Sequence, residues 1–127
     1  MDDTTTPKLI VLADDDSFIS HAYRAGLEAA GYTVSVAADG EQALQQARVL
    51  RPDVLIMELI LPELDGFNVL RQLKQDVATS SIPVIILTNL SQDHDQAEAR
   101  SLGANEFLVK SEVSLPDVTL AIGRVLR

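Results

Sequence analysis

Short apolar runs recur along this chain, and between them apolar residues return at helical spacing. The runs are Lys8–Ala13, Thr33–Ala37, Asp53–Met57, Pro83–Leu87 and Glu106–Val109. Most are continuous in Val, Ile and Leu rather than alternating with polar residues. They read as strands buried on both faces of a parallel sheet. Pro83 can open a strand but could not sit inside a central one, because it donates no ladder hydrogen bond. The helical stretches fall between the runs. Ile19, Ala22, Tyr23, Leu27 and Ala30 share one face, and Gly31 ends that segment. Ala43, Leu44, Ala47 and Leu50 form a second stripe, with Asp39 placed as its N-cap and Pro52 beyond its end. Phe67, Leu70, Leu73 and Lys74 follow Asp65-Gly66, and Val118, Ala121, Ile122 and Val125 make the last stripe. Ser114 and Asp117 before that stripe are spaced as a capping box. The segment Ser91–Leu102 stands apart, since Ala97, Ala99 and Leu102 are its only apolar residues. It can be helical, but little apolar area remains to dock it, so it should pack most loosely.

Strand and helix therefore alternate about five times. Right-handed crossovers place the helices on both faces of one parallel sheet, which predicts a doubly wound α/β domain. Met1–Thr6 is polar and reads as a loose tail. The remainder is expected to be a single domain, with no repeat, no linker and no output domain.

Composition narrows the function. The 127 residues suffice for one core. The formal net charge of -9 argues against nucleic-acid binding and against a polybasic membrane anchor. There is no cysteine, so disulfides, thiol catalysis and thiolate metal sites are excluded. His21 and His94 sit in no ligand-spaced motif and read as exposed helix residues. No apolar stretch is long enough to span a bilayer and no signal peptide opens the chain, so a cytoplasmic protein is expected.

The chemistry lies where the strands end. The first ends at Asp14-Asp15-Asp16, the third at Glu58, the fourth at Thr88-Asn89 and the fifth at Lys110. A parallel sheet brings these ends to one edge, where ligands bind in open α/β sheets. Clustered carboxylates raise one another's pKa and need a cation, which a divalent metal or Lys110 could supply. Carboxylates suit Mg²⁺, while a hydroxyl and an ammonium suit phosphoryl oxygens. Read singly, Asp14–Asp16 is a turn or helix cap, Lys110 a surface lysine, and Phe107 a core residue.

These pieces together resemble a response-regulator receiver domain of bacterial two-component signalling. The resemblance runs from Lys8 to Leu126. It is carried by Asp14-Asp15, Pro52-Asp53-Val54-Leu55-Ile56-Met57, Leu61-Pro62-Glu63-Leu64-Asp65-Gly66, Ile82-Pro83-Val84-Ile85-Ile86-Leu87-Thr88, Gly103-Ala104 and Lys110. It implies a flavodoxin-like five-stranded sheet in the order 2-1-3-4-5, an arrangement the family exemplifies. It implies Asp14, Asp15, Glu58 and the Ile60 carbonyl as ligands of a weakly bound Mg²⁺. Thr88 and Lys110 would contact phosphoryl oxygens, and Phe107 would stand at an aromatic switch position. The implied partners are a sensor histidine kinase or phosphotransfer protein and a downstream target. They would meet the protein on a face made of Ser91–Leu102, the fifth strand and the last helix.

The chain departs from that family at Glu58, which stands where the phosphorylated aspartate is expected. The extra methylene displaces the nucleophile, and a misplacement of about 1 Å can cost a hundredfold in rate. The expectation is a non-phosphorylatable or phospho-mimicking domain. Ser111 replaces a proline that often carries a cis bond; a non-proline cis bond costs about 3 kcal/mol, so a trans bond is expected. Asn89 replaces a smaller residue and should narrow the site. Two other functions compete with stand-alone signalling. Asp14 and Asp16 form the Asp-x-Asp of a haloacid-dehalogenase-like phosphatase, although a later acidic pair and a cap domain are missing. A constitutive scaffold would use neither metal nor phosphate.

Overall fold

The computed structural model describes residues 6–127; the expected tail, apart from Thr6, lies outside the described residues. Strands β1 (Leu9–Ala13), β2 (Thr33–Ala37), β3 (Val54–Met57), β4 (Val84–Thr88) and β5 (Glu106–Val109) alternate with five α-helices. All four pairings are parallel, in the order β2-β1-β3-β4-β5. The strands expected from the apolar runs are all present, with small shifts. Lys8, Asp53 and Pro83 fall just outside, and β4 runs one residue further to include Thr88. Pro83 still offers its carbonyl to the Leu55 N–H at 3.0 Å, so the ring ends the ladder without breaking it.

Because side chains alternate along a strand, the sheet divides the apolar residues into two cores. Val11, Leu55, Met57, Val84 and Ile86 face helices α2 (Gly40–Leu50), α3 (Gly66–Gln75) and α4 (Asp93–Ser101). Ile10, Leu12, Val54, Ile56, Ile85 and Leu87 face α1 (Ser17–Ala29) and α5 (Leu115–Val125). Every residue of β3 and β4 is buried, as expected for strands covered on both faces. Acidic and hydroxyl caps start four of the helices. Asp16, Asp39, Asp65 and Ser114 each accept first-turn N–H groups that have no partner within their helix. Lys74, which completes the apolar stripe of α3, spends its ammonium on the carbonyls of Ser80 and Ile82. Burial holds that ammonium below the ordinary lysine range.

Helix α4 is shorter than the expected Ser91–Leu102 and is the exception in anchoring. No side chain caps it, and Ala99 is its one buried residue. Leu102 reaches the first core from just beyond its end, while Ala97 is exposed.

Candidate functional site at the strand ends

Parallel register sets the site before any side chain does. Ala13 pairs with Met57 and Thr88 with Val109, so Asp14, Glu58, Thr88 and Lys110 emerge together at one edge. The Asp14 N–H donates to the Ala37 carbonyl at 3.0 Å and the Glu58 N–H to the Ala13 carbonyl at 2.9 Å. These bonds carry the ladder to the bases of both acids. The loop after Glu58 is pinned by close packing. A side chain at Gly66 would put its Cβ 2.7 Å from the Glu58 carbonyl oxygen, so only glycine fits there.

Glu58 is buried, and both its oxygens are engaged. Oε1 accepts from the Lys110 Nζ at 2.8 Å. Oε2 accepts from the Thr88 hydroxyl and from the backbone N–H groups of Leu59 at 2.9 Å and Ile60 at 3.2 Å. Lys110 also donates to Asp14 Oδ2 at 2.8 Å, while Asp14 Oδ1 accepts the Asp16 N–H at 2.9 Å. One ammonium thus serves two buried carboxylates. Burial alone would push Lys110 down, but its hydrogen bonds to Asp14 and Glu58, with their charges, hold it above the ordinary lysine range.

The remaining expected residues are placed differently. Asp15 is exposed and Asp16 caps α1 through the N–H groups of Phe18 and Ile19. Phe107 is buried in the first core. The exposed histidines, His21 on α1 and His94 on α4, lie outside the site. Asp14, Asp15, Glu58 and Ile60 do line one cleft of about 360 Å³ together with Lys110 and Asn89. A larger depression of about 630 Å³ opens at the opposite edge, where the strands begin, beside Lys8, Tyr32 and Asp53. Strand-end chemistry, rather than size, identifies the smaller one as the site.

The expected metal ligands line this cleft, but their carboxylates are turned to different partners. Hard carboxylate oxygens have the right chemistry for Mg²⁺, which takes oxygen ligands in a near-octahedral shell. Yet Asp14 and Glu58 are turned to Lys110, and Asp15 alone faces solvent. Among the described residues, no three acidic or histidine side chains are grouped to hold a metal ion. In this arrangement the cluster takes its positive charge from Lys110, with which a magnesium ion would have to compete.

Two features escaped the sequence reading. Tyr23, taken there as part of the α1 stripe, stands close enough to feel Lys110 and Asp14. Burial raises its phenol, Lys110 opposes that rise and Asp14 adds to it. Asn89 and Ser111, noted singly, are bonded to each other: the Ser111 N–H donates to the Asn89 side-chain oxygen at 2.9 Å. No cis peptide bond occurs among the described residues, in line with the trans bond expected before Ser111.

Comparison with known proteins agrees with the fold. A family model for the response regulator receiver domain matches residues 10–121. The DNA-binding dual master transcriptional regulator RpaA of Synechocystis sp. is 39% identical over 104 residues, which is 82% of this chain and 43% of that protein. Protein PilH of Pseudomonas aeruginosa is 38% identical over 101 residues, or 80% of this chain and 84% of that one. The solved receiver domain of a sensor histidine kinase from Pseudomonas aeruginosa, with a magnesium ion coordinated in its active site cleft, superposes with a TM-score of 0.87. It is 27% identical and covers 95% of this chain and 98% of its own. The chain spans less than half the length of several curated relatives that it matches. With the family model covering most of the chain, over a parallel sheet in this order, the chain belongs to the response regulator receiver domains of two-component signalling.

Proposed function

We propose that this receiver domain works alone, in the cytoplasm, with its phosphoryl-binding position filled by its own Glu58. Receiver domains exchange contacts with histidine kinases or phosphotransfer proteins on one side and with downstream targets on the other. In this reading the chain signals through such protein contacts and catalyses nothing itself. The net charge of -9 favours protein partners over nucleic acid. No helix among the described residues is long and apolar enough to cross a membrane, which is compatible with this location.

One observation carries the reading: a single carboxylate takes both the Thr88 hydroxyl and the Lys110 ammonium. Those are the groups a phosphoryl oxygen would seek in a receiver domain. Glu58 therefore satisfies them without phosphate. The imitation is partial, because a phosphoryl group brings more charge and more acceptor oxygens. Phe107 and the face formed by α4, β5 and α5 would then be held in one arrangement. The phosphatase alternative draws no support, since Asp16 is committed to the cap of α1 and Asp14 to Lys110. Magnesium binding is weak in this reading, because the ion competes with Lys110 for Asp14 and Glu58.

The test compares the protein with Glu58→Asp, each incubated with acetyl phosphate and Mg²⁺ and weighed intact. The parent should gain no phosphoryl mass, while Glu58→Asp, its nucleophile shortened by one methylene, should be labelled. Equal labelling of both would show that Glu58 is a competent acceptor and would sink the reading. Amide NMR on the same samples should show smaller Mg²⁺-dependent shifts at Asp14–Asp16 in the parent than in Glu58→Asp.

A further inference from the structure

The contacts of Glu58 belong to a closed path that passes through Asn89 and Ser111. From Glu58 Oε2 the path runs to the Thr88 hydroxyl and along the chain to Asn89. The Asn89 side chain accepts the Ser111 N–H at 2.9 Å, and Ser111 is bonded to Lys110. Lys110 Nζ returns to Glu58 Oε1 at 2.8 Å. The two side chains that hold Glu58, Thr88 and Lys110, are thus linked to each other through Asn89 and Ser111.

Each link has a physical reason. Ser111 lies in the 3-10 turn Lys110–Glu112, which has no side-chain cap at its own N-terminal residue Val109. The first N–H groups of such a turn have no partner inside it. Asn89, on the neighbouring strand end, supplies the acceptor. A backbone N–H can meet only the oxygen of a carboxamide, which fixes how Asn89 is turned. A proline at 111 would carry no N–H and could not close the path. Lysine has a long flexible stem, so the position of its ammonium depends on a fixed backbone beneath it. Asn89 is exposed and lines the same cleft as Lys110 and Glu58.

We infer that Asn89 is a positioning residue: through the Ser111 N–H it fixes the backbone carrying Lys110 and acts as a latch at the cleft beside Glu58. The latch is a second barrier to an incoming phosphoryl group, separate from the length of Glu58. It rests on the receiver reading above. The bond is single, neutral and exposed, so it slows entry rather than forbidding it.

The experiment uses the full chain and four variants: Asn89→Ala, Asn89→Asp, Glu58→Asp and Glu58→Asp with Asn89→Ala. The first readout involves no phosphoryl transfer. Hydrogen exchange at the Ser111 amide should be slow in the parent and about tenfold faster in Asn89→Ala. It should slow again in Asn89→Asp, which keeps an oxygen acceptor, and the Lys110 Nζ NMR signal should shift in Asn89→Ala alone. A Ser111 amide unprotected in the parent, or unchanged by Asn89→Ala, would overturn the positioning role.

The second readout is the rate of labelling by acetyl phosphate with Mg²⁺. The bond from phosphorus to the acetyl oxygen breaks, one from phosphorus to the aspartate oxygen forms, and acetate leaves. The double variant should label about tenfold faster than Glu58→Asp. Equal rates would overturn the latch as a barrier while leaving the receiver reading intact. If neither labels while Ser111 exchange responds as expected, the reading of Glu58 as the block to phosphorylation fails and the positioning role stands.

Discussion

Helices α4 and α5 approach the same edge of the sheet, and they are fastened by opposite means. At the start of α5, Ser114 and Asp117 satisfy each other's backbone N–H groups, and a proline occupies its first turn. Val118, Ala121 and Ile122 bury its inner face completely. At its far end, Arg124 pairs with Glu106 of β5 at 3.1 Å. Helix α4 has no side-chain cap and buries Ala99 alone. What favours α4 is local: Asp93 and Asp95 in its first turn and Arg100 in its last, each suited to the helix dipole. A helix held by its own charges can shift without breaking a core. This one begins four residues beyond Asn89, directly downstream of the Thr88 contact with Glu58. The difference places the adjustable element next to the polar ring and the fixed element on the other side of β5.

Truncating the fixed helix should have the largest effect. Ile122→Ala removes a fully buried side chain from α5 and should cost about 3 kcal/mol of global stability. Ala99→Gly in α4 should cost only about 1 kcal/mol, mostly helix propensity. Urea denaturation of both variants measures the contrast. A cost for Ala99→Gly as large as that for Ile122→Ala would show that α4 is anchored as firmly as α5.

Hydrogen exchange sharpens the comparison within the native state. Amides of α4 should exchange roughly tenfold faster than those in the middle of α5, because opening α4 exposes little apolar surface. Glu58→Ala, which frees Thr88, should loosen α4 further and leave α5 unchanged. Equal changes in both helices would mean that the ring acts on the whole domain and not through the segment after Thr88.

The sparse anchoring of α4 was readable in the sequence because the apolar count of Ser91–Leu102 alone limits what it can bury. The same holds for the strands and for the convergence of Asp14, Glu58, Thr88 and Lys110, since parallel register follows from apolar runs joined by helices. What stayed hidden depends on which way side chains turn. Three successive aspartates look equivalent, yet Asp14 is buried against Lys110, Asp15 is exposed and Asp16 caps α1. That division gives the acids of the expected metal set different surroundings. The Asn89–Ser111 bond joins residues 22 apart, and neither has a pattern that names the other. Thr88 was placed after its strand because a hydroxyl interrupts an apolar run, although its backbone still pairs with Val109.

The smallest effect concerns the cap that distinguishes α5, and its sign can be worked out. Asp117 accepts the backbone N–H and the hydroxyl of Ser114, both at about 3 Å, and Arg124 adds a weaker attraction. The Ser114 hydrogen bonds hold its carboxyl below the ordinary aspartate value of 3.8. In the unfolded chain these bonds are gone and the group returns to that ordinary value. The charged form is therefore favoured by folding, so its contribution is full above the unfolded pKa and disappears as pH falls through the folded one. Asp117→Asn should lower the urea midpoint slightly at pH 7, and the gap between variant and parent should close as pH drops below about 4. The site is fully exposed, so salt should shrink the gap as well. A gap that persists unchanged into strong acid would mean that Asp117 stabilises α5 by hydrogen-bond geometry alone, independent of its charge.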